Sequence, residues 1–316
     1  MERHIVIVGA GYGGVLTAKK LARRLKAEAD IRITLIDRNP FHTMLTELHE
    51  VAAGRVEEDS IRMNLDRIFA GRRVNVVLDT VESLNFENRV AVGREGSYPY
   101  DILVLASGSK PTFFGVPGAE EHAKTLWSYE DAVRLREHIL ESFRQAERAA
   151  DPVERQRLLT FYVVGAGFTG VEMIGELAEY VPILCRQFGI DRSLVSLHNV
   201  DILPRPIPNL PEKLSDKVVR RLAKMGVQIE MQTGVTAIGP DYIELKAGGE
   251  PVRRPAGTVI WTAGIESADI AANAAASLPS AGRGRIQVDE SLHVIGRPEI
   301  YVVGDNMMYT PAVYRP

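Results

Sequence analysis

The stretch Ile5-Val-Ile-Val-Gly-Ala-Gly-Tyr-Gly-Gly14 decides how the rest of the chain is read. Four β-branched residues, Ile5 to Val8, form a buried strand that runs directly into Gly9, Gly11 and Gly14. In the spacing G-x-G-x-x-G the first glycine permits a tight turn and the second lets backbone approach a pyrophosphate. The third lets the following helix pack close to the strand. That helix points unpaired N–H groups and its positive dipole end at the phosphates. Alone the pattern is weak. A second copy, Phe161-Tyr-Val-Val-Gly-Ala-Gly-Phe-Thr-Gly-Val-Glu172, repeats it with Gly165, Gly167 and Gly170, again after an apolar strand and before a helix. Two copies in strand–turn–helix context predict an α/β protein with two Rossmann-like dinucleotide-binding domains.

The chain has 316 residues, long enough for two domains with separate cores. Its formal charge of −3 gives no footprint for nucleic acid. No apolar run reaches the roughly 18 residues of a transmembrane helix. The apolar N-terminus is not expected to be a signal peptide. Glycines interrupt it at motif spacing, and Lys19, Lys20, Arg23 and Arg24 follow with no evident cleavage site. A single cysteine, Cys185, excludes an intrachain disulfide and fits a reducing, cytoplasmic setting. His42 and His49 lie near Glu47 and Glu50, but their spacing and the lack of cysteine point to cofactor-lining or surface polar residues. No metal is expected.

Outward from the first turn, a helix is expected from Val15 to Leu25, then a strand Ile31–Ile36 ending in Asp37. A carboxylate at that strand end can accept hydrogen bonds from both ribose hydroxyls of an adenosine. Residues 39–54 read as a turn and a short helix, followed by short strands and a hairpin over 74–92. Within Tyr100–Lys110 a further strand runs into a turn of small residues. Ser128-Tyr-Glu-Asp131 has a capping pattern and opens a charged helix to about Ala149; Asp151-Pro152 and a charged connector follow. In the second half, the strand from Leu194 should place Asn199 at the ribose position, where an acid would otherwise stand. Asparagine can bond hydroxyls without repelling a 2′-phosphate, so NADH versus NADPH stays open; Arg205, in the next loop, reads as a surface arginine or a phosphate ligand. Pro204, Pro206, Pro208 and Pro211 exclude regular structure before a helix at about Glu212–Met225, expected to bury Leu214, Val218, Leu222 and Met225. Strands are expected at 258–264 and 300–305, the last ending in Gly304-Asp305.

Together these residues resemble the two-dinucleotide-binding-domain flavoproteins, and within them the type II NADH dehydrogenases (NADH:quinone oxidoreductases). The resemblance covers nearly the whole chain. It rests on GAGYGG at 9–14, Asp37, YDILVLASGS at 100–109, FGVPGAEEHA at 114–123, GAGFTGVE at 165–172, WTAG at 261–264 and YVVGD at 301–305. It implies that the second domain is inserted in the first, with boundaries at 1–112, 113–262 and 263–316. It further implies FAD on Gly9, Gly11, Gly13 and Gly14, with Asp37 and Arg38 at the adenosine ribose. Ala106, Ser107, Gly108, Gly304 and Asp305 would line the remainder of that site. NADH or NADPH would take Gly165, Gly167, Gly170, Asn199, Ala263 and Gly264, its nicotinamide stacked on the isoalloxazine. Glu172 matches the family's glutamate near nicotinamide and flavin and is the catalytic candidate; a first-turn glutamate favoured by the helix dipole is the plainer alternative.

In the family, reduced flavin passes electrons to a quinone. Family members continue beyond the Gly-Asp strand with a region that supplies quinone-site residues and peripheral contact with the cytoplasmic face of the membrane; this sequence does not include it. A homodimer is compatible with the family. Disulfide reductases and sulfide:quinone reductases are excluded, because they need cysteine pairs beside the flavin and residues 39–54 contain none. The expected activity is hydride transfer from NAD(P)H to FAD and onward transfer to a quinone-type acceptor. The alternatives are a reductase for a ferredoxin-like partner and a catalytically weak nucleotide-binding redox sensor.

Overall fold

The computed structural model describes residues 2–311, and its contacts divide the chain into two compact units. The first comprises residues up to Thr43, Arg62–Lys110 and Ile265 onward; the second comprises Met44–Ile61 and Pro111–Gly264. The last five residues of the expected 263–316 segment lie outside the described residues. Residues 44–61, expected with the first unit, pack with the second. The reason is burial: Leu48, Val51, Ala52 and Ala53 join the second unit's core, while a short antiparallel ribbon, Phe41–Thr43 against Arg62–Asn64, brings the two ends of this excursion together.

Each unit is built on a parallel sheet of the same order. In the first, the strands Arg297–Val302, Ile102–Leu105, Arg3–Val8, Ile31–Asp37 and Asn75–Leu78 lie side by side. In the second, the order is Lys124–Thr125, Thr258–Trp261, Thr160–Val164, Ser196–Val200 and Val227–Glu230. The glycine-bearing strand is central in both, so its apolar residues are covered on both faces, as parallel sheets require.

Alternation along the strands sorts the core. In the first unit Ile5, Ile7, Ile33 and Leu35 meet Val15, Ala18 and Ala22 of the helix Tyr12–Arg24. Val6, Val8, Leu103 and Leu105 face the other way, in one cluster with Ala271, Ala274 and Ala275 of the helix Asp269–Ala275. In the second unit Phe161, Val163 and Leu197 pack with Met173, Ile174 and Leu177 of the helix Phe168–Phe188. Tyr162, Val164 and Trp261 face a three-stranded antiparallel sheet through Ile238, Ile243 and Leu245. At about 1.5–3 kcal/mol for each fully buried large apolar side chain, these layers hold each sheet in place, and the glycine turns follow the C-terminal ends of its central strands.

The capping pattern at Ser128 forms as expected. The Ser128 hydroxyl accepts from Asp131 N–H, and the Asp131 carboxylate accepts from Ser128 N–H, at the start of the helix Tyr129–Arg148. The connector after it is instead a helix, Pro152–Leu158. The Asp151 carboxylate caps Val153 N–H and Pro152 sits at the first helical position, where its missing N–H costs nothing. The helix Glu212–Lys224 buries Leu222 but leaves Leu214 41% exposed, contrary to its periodicity.

Candidate functional site

The two glycine turns have the same geometry. Gly9 lies at φ +103° and Gly165 at φ +104°, a region that glycine alone adopts without strain. A Cβ on Gly14 would collide with the Gly9 carbonyl oxygen, and one on Gly170 with that of Gly165. These positions are glycine because the fold requires it. Gly11 and Gly167 differ. Their backbones are extended, at φ −70°, ψ −170° and φ −71°, ψ −173°, and an added Cβ would meet nothing within 4 Å. Nothing in the protein demands glycine there, so what the glycine preserves is open space beside a helix N-terminus. Neither helix has a side-chain cap or an acidic residue in its first turn. A dinucleotide pyrophosphate fits that cradle.

A carboxylate completes each turn. In the first unit Asp37 Oδ2 accepts from Ala10 N–H at 2.6 Å and Oδ1 from Asn39 N–H at 2.8 Å. The buried His42 ring donates from Nδ1 to the Ala10 carbonyl at 2.8 Å and packs edge-on against Tyr12, so it braces the turn from behind. Arg38 is exposed beside Asp37.

In the second unit the residue at the corresponding place is Asp201, not Asn199. Strand register shows this directly: Val8 pairs with Ile36 before Asp37, and Val164 pairs with Val200 before Asp201. Asp201 Oδ2 accepts from Ala166 N–H at 2.6 Å and Oδ1 from Leu203 N–H at 2.8 Å, reproducing the Asp37 contacts. Asn199 is fully buried within the sheet, where its Nδ2 donates to the Val163 and Gly165 carbonyls. The expectation of an asparagine at the ribose position is therefore corrected. Arg205 is likewise accounted for, since its guanidinium donates to the Leu210 and Pro208 carbonyls of its own loop. The Ala166 carbonyl, like that of Ala10, is satisfied from the following loop, here by Ile207 N–H at 2.8 Å.

The remaining expected residues fall into two groups by unit. Ala106, Ser107 and Gly108 follow the strand beside the first glycine turn, and a Cβ on Gly9 would strike Ala106. Gly304 and Asp305 adjoin Val303, whose side chain lies where a Cβ on Gly13 would approach to 3.1 Å. Asp305 is exposed, and its Oδ2 accepts from the Ser109 hydroxyl at 2.7 Å. Among the described residues, buried Ser107 Oγ and Asn306 Oδ1 have no hydrogen-bond partner. Such groups are satisfied by a bound polar ligand or by water. In the second unit Thr262 Oγ1 donates to the Val164 carbonyl, holding Ala263 and Gly264 beside the second turn; Gly264, at φ +76°, is closed over by Phe114.

Glu172 lies beyond the first turn of the second glycine helix and its side chain is half-exposed. Burial pushes its carboxyl above the usual range, His49 pulls it back and Glu47 pushes it up again. A groove of about 360 Å³ runs from Glu172 between this helix and the helix Glu212–Lys224, walled by Glu176, Lys217 and Arg221. Among the described residues no three histidine, cysteine or acidic side chains form a metal cluster. His42 belongs to the first unit and His49 to the second.

Two glycine turns, each answered by a carboxylate on the neighbouring strand, define a two-dinucleotide oxidoreductase architecture. Residues 3–314 match the pyridine nucleotide-disulphide oxidoreductases, and the chain belongs to that family. It is 32% identical over 311 residues to the type II NADH:quinone oxidoreductase of Staphylococcus epidermidis, covering 98% of this chain and 76% of that protein. The enzyme of the same name from Staphylococcus aureus is 31% identical over the same coverage. NDH2 from Plasmodium falciparum, solved in complex with NADH, superposes with a TM-score of 0.88 at 21% identity, over 98% of this chain and 65% of that one. The sulfide:quinone oxidoreductase of Aquifex aeolicus gives 0.78 at 19%, over 98% and 70%. These structural likenesses show the fold, and the two Rossmann-like domains expected from the sequence are present.

Proposed function

We propose that the protein is an FAD-dependent NADH dehydrogenase of the type II class, passing electrons onward to a quinone. The observation that carries this is the duplicated turn: the Asp37–Ala10 and Asp201–Ala166 contacts give one chain two dinucleotide sites of the same design. FAD is assigned to the first unit, where a second carboxylate, Asp305, stands beside the glycine turn. When bound, FAD supplies the two-electron acceptor for a hydride from the nicotinamide C4. No side-chain nucleophile is needed, since holding two reactants in contact does most of the work.

The protein's own residues bind and orient. Asp37 and Asp201 have lone pairs left for ribose hydroxyls, and both carboxylates are aimed by two backbone N–H groups. Asp201 favours NADH, because a 2′-phosphate would meet its negative charge. The neighbour that would greet such a phosphate is Ile202, 75% exposed and apolar, while Arg205 is engaged elsewhere. Glu172, at the mouth of its groove, orients the nicotinamide amide. The acceptor, a lipid-soluble quinone as in the relatives' names, places the work at a membrane surface, with peripheral attachment on the cytoplasmic face. No helix among the described residues is long and apolar enough to cross a membrane.

Anaerobic mixing of the yellow protein tests this. One equivalent of NADH should bleach the flavin absorbance promptly, and NADPH should act at least about tenfold more slowly, the factor that 1.4 kcal/mol of discrimination gives. A protein that carries no flavin, or a flavin that neither nucleotide bleaches, would refute the reading.

A further inference from the structure

His49 arrives at Glu172 on the 44–61 excursion, within the second unit. Its Nδ1 lies 3.9 Å from Glu172 Oε2, and its side chain is only 13% exposed, too enclosed for a solvated surface histidine. Three further contacts fix that approach. Val51 and Ala52, on the same short helix, are fully buried in the unit's core. Arg55 pairs with Glu176, one turn beyond Glu172 on the glycine helix. Gly54 comes so near Tyr180 that an added Cβ would sit 2.8 Å from its ring. The segment that carries the imidazole is thus held beside the glycine helix by the residues that follow His49.

We propose that His49 is a positioning residue for Glu172: it fixes the direction and charge of that carboxylate and so sets the pH range in which the nicotinamide site works. This rests on the reading of Glu172 as the group that orients the nicotinamide amide. The electrostatic setting favours such control. Glu47 faces Glu172 from the excursion, while Glu176 and Glu179 extend the acidic face along its own helix. Glu50 and Glu176 are occupied by Arg55, and Lys217 and Arg221 stand across the groove. His49 is therefore the group among these whose ring nitrogen is placed against the Glu172 carboxylate. The direction of the Glu172 shift agrees, since burial raises it and His49 opposes the rise.

The test follows the carbon-13 signal of the Glu172 carboxyl, assigned with Glu172→Gln, through a pH titration of the flavin-loaded protein. His49→Gln should move its midpoint up by about half a unit or more, the size an adjacent cation produces when partly screened. His49→Phe, which keeps ring volume without charge, should do the same. The limb of the pH profile for flavin reduction by NADH should move by an equal amount, and His49→Gln should change nothing further in a Glu172→Gln background. An unmoved Glu172 midpoint in both variants overturns the proposal alone. A flavin-reduction rate and NADH affinity indifferent to Glu172→Gln overturn the reading of Glu172, and the proposal with it.

Discussion

A carboxylate that accepts from two backbone N–H groups is held without rotamer freedom, so its remaining lone pairs point in one direction. Asp37 and Asp201 are both held this way, and on the proposed reading Asp201 uses that fixed direction to discriminate between nicotinamide cofactors. Replacing Asp201 with asparagine keeps an acceptor for Ala166 N–H and removes the charge. The NADH-to-NADPH ratio of kcat/KM should fall by about tenfold or more; an unchanged ratio would mean that Asp201 does not read the ribose. Asp37 was legible in the sequence because Leu35 and Ile36 keep its strand apolar right up to it. Asp201 was not, because His198 and Asn199 break that pattern inside the sheet and mimic a strand end. Both are buried and bonded across strands there, His198 to Glu230 Oε1 at 2.9 Å with Tyr162 stacked on its ring, Asn199 through Nδ2 to two carbonyls. A polar side chain that finds its partners across strands carries no mark of burial in the linear sequence.

At the scale of elements, local signals were legible and non-local ones were not. The helix after Ser128 starts where its capping pattern places it, a rule that acts within a few residues, whereas the helix after Gly11 begins at Tyr12, ahead of the Val15 expected. The assignment of 44–61 to the second unit depends on Leu48, Val51, Ala52 and Ala53 packing into that unit's core, a contact no local pattern encodes. A tighter device holds the antiparallel sheet Val81–Pro99 of the first unit. Asp79 accepts from the N–H groups of Thr80, Arg94 and Glu95 and from the Tyr98 hydroxyl at 2.6 Å, and Gly93 leaves room for its carboxylate. Burial pushes the Asp79 carboxyl up, but these hydrogen bonds outweigh it and hold it below its ordinary value, while the Tyr98 hydroxyl is pushed up to about 12. A folded pKa below the unfolded one contributes stability that is full above the ordinary carboxylate range and is lost as pH falls through the folded value. Asp79→Asn should therefore lower Tm at about pH 7, and the gap to the parent protein should narrow towards about pH 3. A gap that stays constant across that range would show that the charge of Asp79 is not what secures the sheet.

At the scale of the whole molecule, a chain with one dinucleotide site must find the redox partner of its cofactor in another molecule class, whereas a chain with two can hold one dinucleotide and have it reduced by the other. The two sheets share strand order, register and turn geometry, and they differ where their ligands would differ: Asp305 beside the first turn, Glu172 and His49 along the second helix. Gly11 and Gly167 separate the two roles cleanly, because an added methyl group at either meets no protein atom and so spares the fold. The direct measurement is the visible spectrum of Gly11→Ala and Gly167→Ala before and after anaerobic NADH, with the Tm of each flavin-free protein as the folding control. Gly11→Ala should purify with little or no flavin. Gly167→Ala should remain yellow yet need far more NADH for bleaching, both with flavin-free Tm values close to the parent's. If Gly167→Ala loses its flavin, or Gly11→Ala keeps it and resists NADH, the assignment of the permanent cofactor to the first turn and the nicotinamide to the second is contradicted.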